Sequence, residues 1–154
     1  MHDAAFGQAD EGSIVDRLRG TADWIEGGSL VAVELAGKVL GHLLLSRGVL
    51  VEGGAERSVW MVGPVAVLPE WQSRGIGSSL MKSAIALTVE CGVPLLLLLG
   101  HADYYPRFGF ESARCLGIEP PQPWPDETWL ALPLPGWTPD LLGVARYAPA
   151  FGVG

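Results

Sequence analysis

The first block of regularly spaced apolar residues predicts a short helix. Within residues 10–19, Ile14, Val15 and Leu18 fall on one helical face, and Gly20 follows as a stop signal. Mostly polar residues make up the remaining face. We therefore expect an amphipathic helix that packs on the core through one side.

The next apolar blocks lack helical spacing and predict strands. Runs 30–35 and 39–45, separated by a glycine-containing turn, indicate an antiparallel hairpin, and the glycine-rich stretch 47–57 indicates a loose connection. A further strand over 59–68 contains Gly63-Pro64. Because proline has no N–H to give to a strand ladder, this pair predicts a bulge or a local gap in pairing.

The longest predicted helix lies between residues 75 and 91. Its apolar face consists of Ile76, Leu80, Met81, Ala84, Ile85, Thr88 and Cys91. Gly92 ends the helix, and the leucine-rich run 94–99 follows as a strand buried on both faces. Strand, glycine-rich turn, helix and strand together predict one parallel unit.

Shorter elements complete the chain. A helical turn over 104–108 ends at a glycine, strands are predicted over 113–118 and 128–134, and the Gly- and Pro-rich segment 137–154 permits no assignment. There is no internal repeat and no long linker. We expect residues 1–154 to form a single mixed α/β domain with a central sheet.

Composition and charge narrow the class of protein. The chain is 49% apolar, with 10 basic and 17 acidic residues and a net charge of -7, which excludes intrinsic disorder and argues against a nucleic-acid or anionic-membrane partner. It has no secretory signal and no apolar run near the roughly 20 residues of a membrane span, so a cytoplasmic location is expected. Cys91 and Cys115 form no CxxC pattern and are predicted to be buried thiols rather than metal ligands.

The start of the long helix is the segment that suggests chemistry. The first turn of a helix presents unpaired N–H groups at its positive end, and Gly75 and Gly77 let that backbone approach a pyrophosphate, with Arg74 adding charge. No Gly-Lys-Ser/Thr follows, and Leu80 stands where a dinucleotide motif has its third glycine. A pure packing role for the glycines remains the alternative.

Two motifs identify a family resemblance. The hexapeptide Gln72-Ser73-Arg74-Gly75-Ile76-Gly77 fits the pattern Gln/Arg-x-x-Gly-x-Gly/Ala of the GCN5-related N-acetyltransferase (GNAT) superfamily, and Tyr104 to Phe110 resembles its Tyr-x-x-x-Gly-Phe block. Both occur in the family's order. The sequence is most similar to the YhbS-like bacterial predicted acetyltransferases, from about Phe6 to the tail at 147–151.

The resemblance implies a fold, a cosubstrate and a set of site residues. The fold is a mixed, mostly antiparallel sheet with a central parallel strand pair splayed at a bulge and flanked by helices. The cosubstrate is acetyl-CoA, with no metal. Tyr105 matches the family's tyrosine near the thioester sulfur, where it would either protonate the leaving thiolate or donate a hydrogen bond to it. The implied cofactor-binding residues are Val65, Ala66 and Val67 along the pantetheine and thioester, and Gln72, Ser73, Arg74, Gly75, Ile76, Gly77 and Ser78 around the pyrophosphate.

The implied activity is transfer of an acetyl group from acetyl-CoA to a primary amine of a small molecule, peptide or protein. A non-catalytic CoA-binding regulatory module is the alternative. The general base is left unassigned among Glu34, His42 and Glu70, since each also has an ordinary structural explanation. His101 departs from the asparagine that the family often has after this strand.

The N-terminus also departs from the family pattern. In the family, a first strand and most of a helix precede the segment that matches residues 6–19. We therefore expect the sheet to lack its first edge strand. The exposed edge would be covered either by a partner chain, as in a homodimer, or by the proline-rich tail.

Overall fold

The computed structural model describes the backbone of residues 9–153 and the side chains of residues 14–153. Within these described residues there are two helices, α1 and α2, and eight strands, with short 3-10 turns between several of them. In chain order the elements are α1 (Ala9–Leu18), β1 (Trp24–Val33), β2 (Val39–Glu52), β3 (Ala55–Val67), α2 (Ile76–Glu90), β4 (Leu95–Leu99), β5 (Glu111–Ser112), β6 (Ile118–Glu119), β7 (Trp129–Pro133) and β8 (Gly143–Arg146).

The strands form one sheet that is mostly antiparallel. The strand order is β5-β7-β4-β3-β2-β8-β6, and β1 also pairs with β2. Along the edge of β2 that faces away from β3, β1 occupies the first half and β8 the second. The central pair β3–β4 is parallel, as is the short β6–β8 pair. The predicted sheet with a central parallel pair is therefore confirmed.

The parallel pair separates where the sequence predicted a bulge. Strand β3 pairs with β4 at only two positions, Trp60 opposite Leu96 and Met61 opposite Leu97. On its other edge, the register with β2 shifts between Leu43 and Leu45, so that Gly63 and Pro64 together oppose the single residue Leu44. An extra residue bends a strand and disrupts its ladder. Beyond this point, β3 and β4 diverge and no longer pair.

Apolar side chains fill both faces of the sheet. On one face, Leu80, Met81 and Ala84 of α2 pack against leucines of β2 and β4. On the other face, the fully buried Trp129 is the centre of a second cluster with Tyr147 and the C-terminal segment. Gly41 permits the close approach of α2 to β2, because a Cβ there would lie 3.0 Å from Cγ2 of Ile76. The core thus holds the first turn of α2 over the separated strands.

The structure corrects one predicted loop and one predicted strand. The stretch 47–57 is not a loose connection: β2 and β3 continue to a two-residue turn at Gly53-Gly54, where both glycines have positive φ, as a tight hairpin requires. Residues 113–118 are not a strand, because a 3-10 turn over Arg114–Leu116 interrupts them and Gly117, with φ +81°, closes it.

Cys91 and Cys115 are exposed rather than buried, because one ends α2 and the other lies in a surface 3-10 turn. The tail does not cover the edge of β1: its strand β8 pairs with β2 and β6, and no strand within residues 9–153 pairs with the outer edge of β1.

The position of Leu97 predicts its contribution to stability. Leu97 is fully buried between β3 and β7, and we expect Leu97→Ala to lower the free energy of unfolding by about 2–5 kcal/mol. Leu99 lies on the same strand but is 47% exposed, and we expect Leu99→Ala to cost about 1 kcal/mol or less. Urea denaturation of both variants checks the difference, and equal losses would contradict the packing described.

Candidate active site

A cavity of about 730 Å³ lies between the C-terminal ends of β3 and β4, beside the first turn of α2. Strand β3 contributes Val65 and Val67 to its wall, and residues 72–78 contribute all of their members except Arg74. The opposite wall consists of His101, Tyr104, Tyr105 and Arg107 from the segment that follows β4, and Trp71 and Met81 complete the lining. The bulge, the helix start and the tyrosine block therefore meet at one place.

The backbone of β3 turns hydrogen-bonding groups toward this cavity. Alternate N–H groups of a strand point to opposite neighbours, and the N–H of Leu68 donates to the carbonyl of Leu40 on β2. The N–H groups of Val67 and Val65 consequently point to the side from which β4 has departed. Ala66 lies between them with its side chain buried and outside the cavity lining.

The loop before α2 is shaped to present N–H groups. Gly75 caps the helix with φ +84°, and Ser73 has φ +63°, the only positive φ of a non-glycine residue within the described range. The first helical bond runs from the N–H of Ser79 to the carbonyl of Gly75, so the N–H groups of residues 76–78 precede it and have no helical acceptor. At the positive end of a helix dipole, such groups bind phosphate oxygens.

Two side chains of this loop make contacts that hold the loop in position. The amide of Gln72 donates from Nε2 to the carbonyl of Val67 at 3.0 Å, which fastens the loop to the end of β3. Arg74 does not line the cavity: its guanidinium carbon lies 4.9 Å from the centre of the Trp71 ring. The predicted charge of Arg74 is thus placed at the rim, above Trp71.

Tyr105 lines the cavity and is closely packed by its neighbours. Its ring lies so close to Gly100 that a Cβ there would overlap it, and it packs edge-on against Phe110 at 5.9 Å and Tyr104 at 5.0 Å. Burial, with a smaller effect of Tyr104, raises the pKa of the Tyr105 hydroxyl above its ordinary value. Tyr105 therefore remains a proton-bearing group throughout the neutral range.

Tyr104, Met81 and Arg107 also line the cavity, although none of them was predicted as a site residue from the sequence. The hydroxyl of Tyr104 lies 2.9 Å from Oγ of Ser78, so it joins the segment after β4 to the first turn of α2. Tyr104 and Arg107 stand inside the tyrosine block, which was the available signal. Their partners were not visible in the sequence because they lie in other elements.

The three residues considered as a general base do not line the cavity. Glu70 is exposed and its carboxylate lies 3.7 Å from Nζ of Lys38. His42 is buried, with Nε2 2.6 Å from Oγ of Ser29, and it stands opposite Ala66 in the strand register. Glu34 is likewise outside the lining. Within the part of the chain that the structure describes, no Asp or Glu lines the cavity.

Two features are absent from the described residues, a metal-binding cluster and a membrane-spanning helix. No group of three or more His, Cys, Asp or Glu side chains from residues 14–153 is arranged to hold a metal ion. Neither helix within residues 9–153 is long and apolar enough to cross a membrane.

Comparison with known proteins agrees with this geometry. Residues 26–112 match the family model of the acetyltransferase (GNAT) domain. The chain is 33% identical over 148 residues to the uncharacterized N-acetyltransferase YjhQ of Escherichia coli K12, an alignment that covers 94% of this chain and 81% of YjhQ.

Two solved structures have the same fold over nearly the whole chain. A GNAT family acetyltransferase from Brucella melitensis, in complex with acetyl-CoA, is 35% identical with a TM-score of 0.76, covering 97% of this chain and 86% of its own. The GNAT family N-acetyltransferase YhbS from Escherichia coli, in complex with CoA, has a TM-score of 0.80 at 23% identity, and the match covers 97% of this chain and 82% of YhbS. The chain belongs to the GNAT family and is an acetyl-CoA-dependent N-acetyltransferase.

Proposed function

We propose that the enzyme transfers the acetyl group directly from acetyl-CoA to a primary amine, in the cavity between β3 and β4. The observation that carries this proposal is the meeting of three features at one cavity: outward N–H groups of β3, N–H groups without a helical acceptor at the start of α2, and Tyr105. When bound, acetyl-CoA supplies an activated acyl group whose thioester is open to attack by an amine.

The binding residues act mainly through their backbone. We propose that residues 72–78 hold the pyrophosphate, because the N–H groups of residues 76–78 have no helical acceptor and the glycines at 75 and 77 leave the approach open. The N–H groups of Val65 and Val67 would fix the pantetheine arm and donate to the thioester oxygen as negative charge develops there. Removal of a single donor of this kind typically costs about 2.7–4 kcal/mol in the barrier.

Tyr105 is proposed as the proton donor to the departing thiolate. Tyr105 lines the cavity, and its raised pKa keeps the proton available at neutral pH. The amine must lose a proton before or during attack. Because no carboxylate among the described residues lines the cavity, we propose that water in the cavity carries this proton away.

The activity itself is tested by incubating the protein with acetyl-CoA and a panel of alkylamines, amino acids and lysine peptides while free thiol is measured. We expect amine-dependent thiol release with at least one acceptor, and the acetylated amine in the product by mass spectrometry. Binding of CoA without turnover of any acceptor would contradict the proposal and indicate a regulatory module.

The phosphate assignment predicts the effect of Gly75→Asp. Gly75 has φ +84° and lines the cavity, so a carboxylate there strains the backbone and repels phosphate; we expect CoA affinity to fall more than about tenfold. Gly92→Asp is the matched control, because Gly92 has φ +74°, equally open surroundings and a place at the far end of α2. Calorimetric titration with CoA that gave equal affinities for both variants would refute the assignment.

If Tyr105 is the proton donor, the substitution Tyr105→Phe should reduce turnover without weakening CoA binding. We expect kcat to fall roughly 10²-fold, while the dissociation constant of CoA changes little. Because the donor acts in its protonated form and its pKa is raised, wild-type activity should not decline through this group below the ordinary tyrosine value of about 10. A fall in activity that is matched by an equal fall in CoA affinity would instead indicate a packing role.

A further inference from the structure

Arg107 is the one lysine or arginine among the described residues that line the cavity. The chain as a whole carries 17 acidic and 10 basic residues, yet the described lining contains no carboxylate. A fixed positive charge with no negative charge beside it attracts an anion, and Arg107 lines a cavity that an anion could occupy. The charge of Arg107 is therefore available to a ligand.

The guanidinium of Arg107 is held in place before any ligand arrives. Its Nε donates to the carbonyl oxygen of Tyr104 at 2.8 Å, and its central carbon lies 4.3 Å from the centre of the Tyr104 ring. Tyr104 is in turn joined to Ser78 on α2. The structure gives Arg107 no ion pair with any described carboxylate, so both terminal nitrogens remain as donors.

We propose that Arg107 binds the 3′-phosphate of CoA and makes the enzyme prefer CoA to 3′-dephospho-CoA. This inference rests on the proposed function of the cavity. The N–H groups at 76–78 suit the pyrophosphate, whereas the 3′-phosphate is a separate group, esterified to the ribose, that carries close to two negative charges at neutral pH. Through its link to Tyr104 and Ser78, Arg107 lies next to the pyrophosphate loop, within the same cavity.

The two other charged candidates fit this role less well. Arg74 is stacked on Trp71 at the rim and is outside the lining. His101 lines the cavity but lacks the planar fork with which arginine makes two parallel bonds to a phosphate. The terminal nitrogens of Arg107 offer that fork in a fixed orientation.

Calorimetric titration with CoA and with 3′-dephospho-CoA tests the assignment. We expect the wild-type chain to bind CoA about tenfold more tightly than the dephosphorylated ligand, and Arg107→Gln to lose this preference while its affinity for 3′-dephospho-CoA is retained. Arg107→Lys, which keeps the charge but not the fork, should retain part of the preference. Higher salt should reduce the wild-type preference, because the pair is exposed.

The matched control is Arg57→Gln, which removes the same charge from an exposed arginine paired with Asp140 outside the cavity. It should bind both ligands as the wild-type chain does. Equal weakening of both ligands by Arg107→Gln would overturn the inference, since it would indicate a structural effect on Tyr104, and an unchanged CoA preference would overturn it as well. Failure of the wild-type chain to bind either ligand would instead overturn the proposed function itself.

Discussion

The site depends on one mismatch in strand pairing. Gly63 and Pro64 of β3 share a single partner on β2, and beyond Met61 strand β3 has no further pairs with β4. A regular parallel ladder would have used the N–H groups of Val65 and Val67 for the neighbouring strand. Because the ladder stops, those groups face a cavity that α2 and the tyrosine block enclose. The stable core on either side of the sheet keeps this gap open.

The same geometry explains how an acidic protein accommodates a polyanion. In the proposed binding mode, most of the attraction comes from backbone N–H groups at the start of α2, which contribute partial positive charge without basic side chains. Carboxylates are absent from the described lining, and one arginine, fixed by Tyr104, provides the full positive charge. Net charge of -7 is therefore compatible with CoA, because binding is decided by the local arrangement of donors.

Local signals in the sequence predicted much of the fold. Gly63-Pro64 indicated the bulge and Gly75 the start of α2, because proline and glycine act on the backbone where they stand. The stretch 47–57 was misjudged, since Gly53-Gly54 suits a tight hairpin as well as a loose loop. The link from Tyr104 to Ser78 joins residues 26 positions apart and depends on packing, so no local pattern revealed it. Likewise, the place of Arg74 at the rim followed from its contact with Trp71.

The proposed binding mode puts the thioester of acetyl-CoA between the separated strands β3 and β4. Its most direct test is a crystal structure of this protein with acetyl-CoA. We expect the pantetheine arm to lie between the two strands, with the thioester oxygen within about 3.2 Å of the backbone N of Val65 or Val67, and the pyrophosphate to lie against residues 72–78. A pantetheine arm bound elsewhere, with β3 and β4 paired beyond Met61 and Leu97, would contradict it.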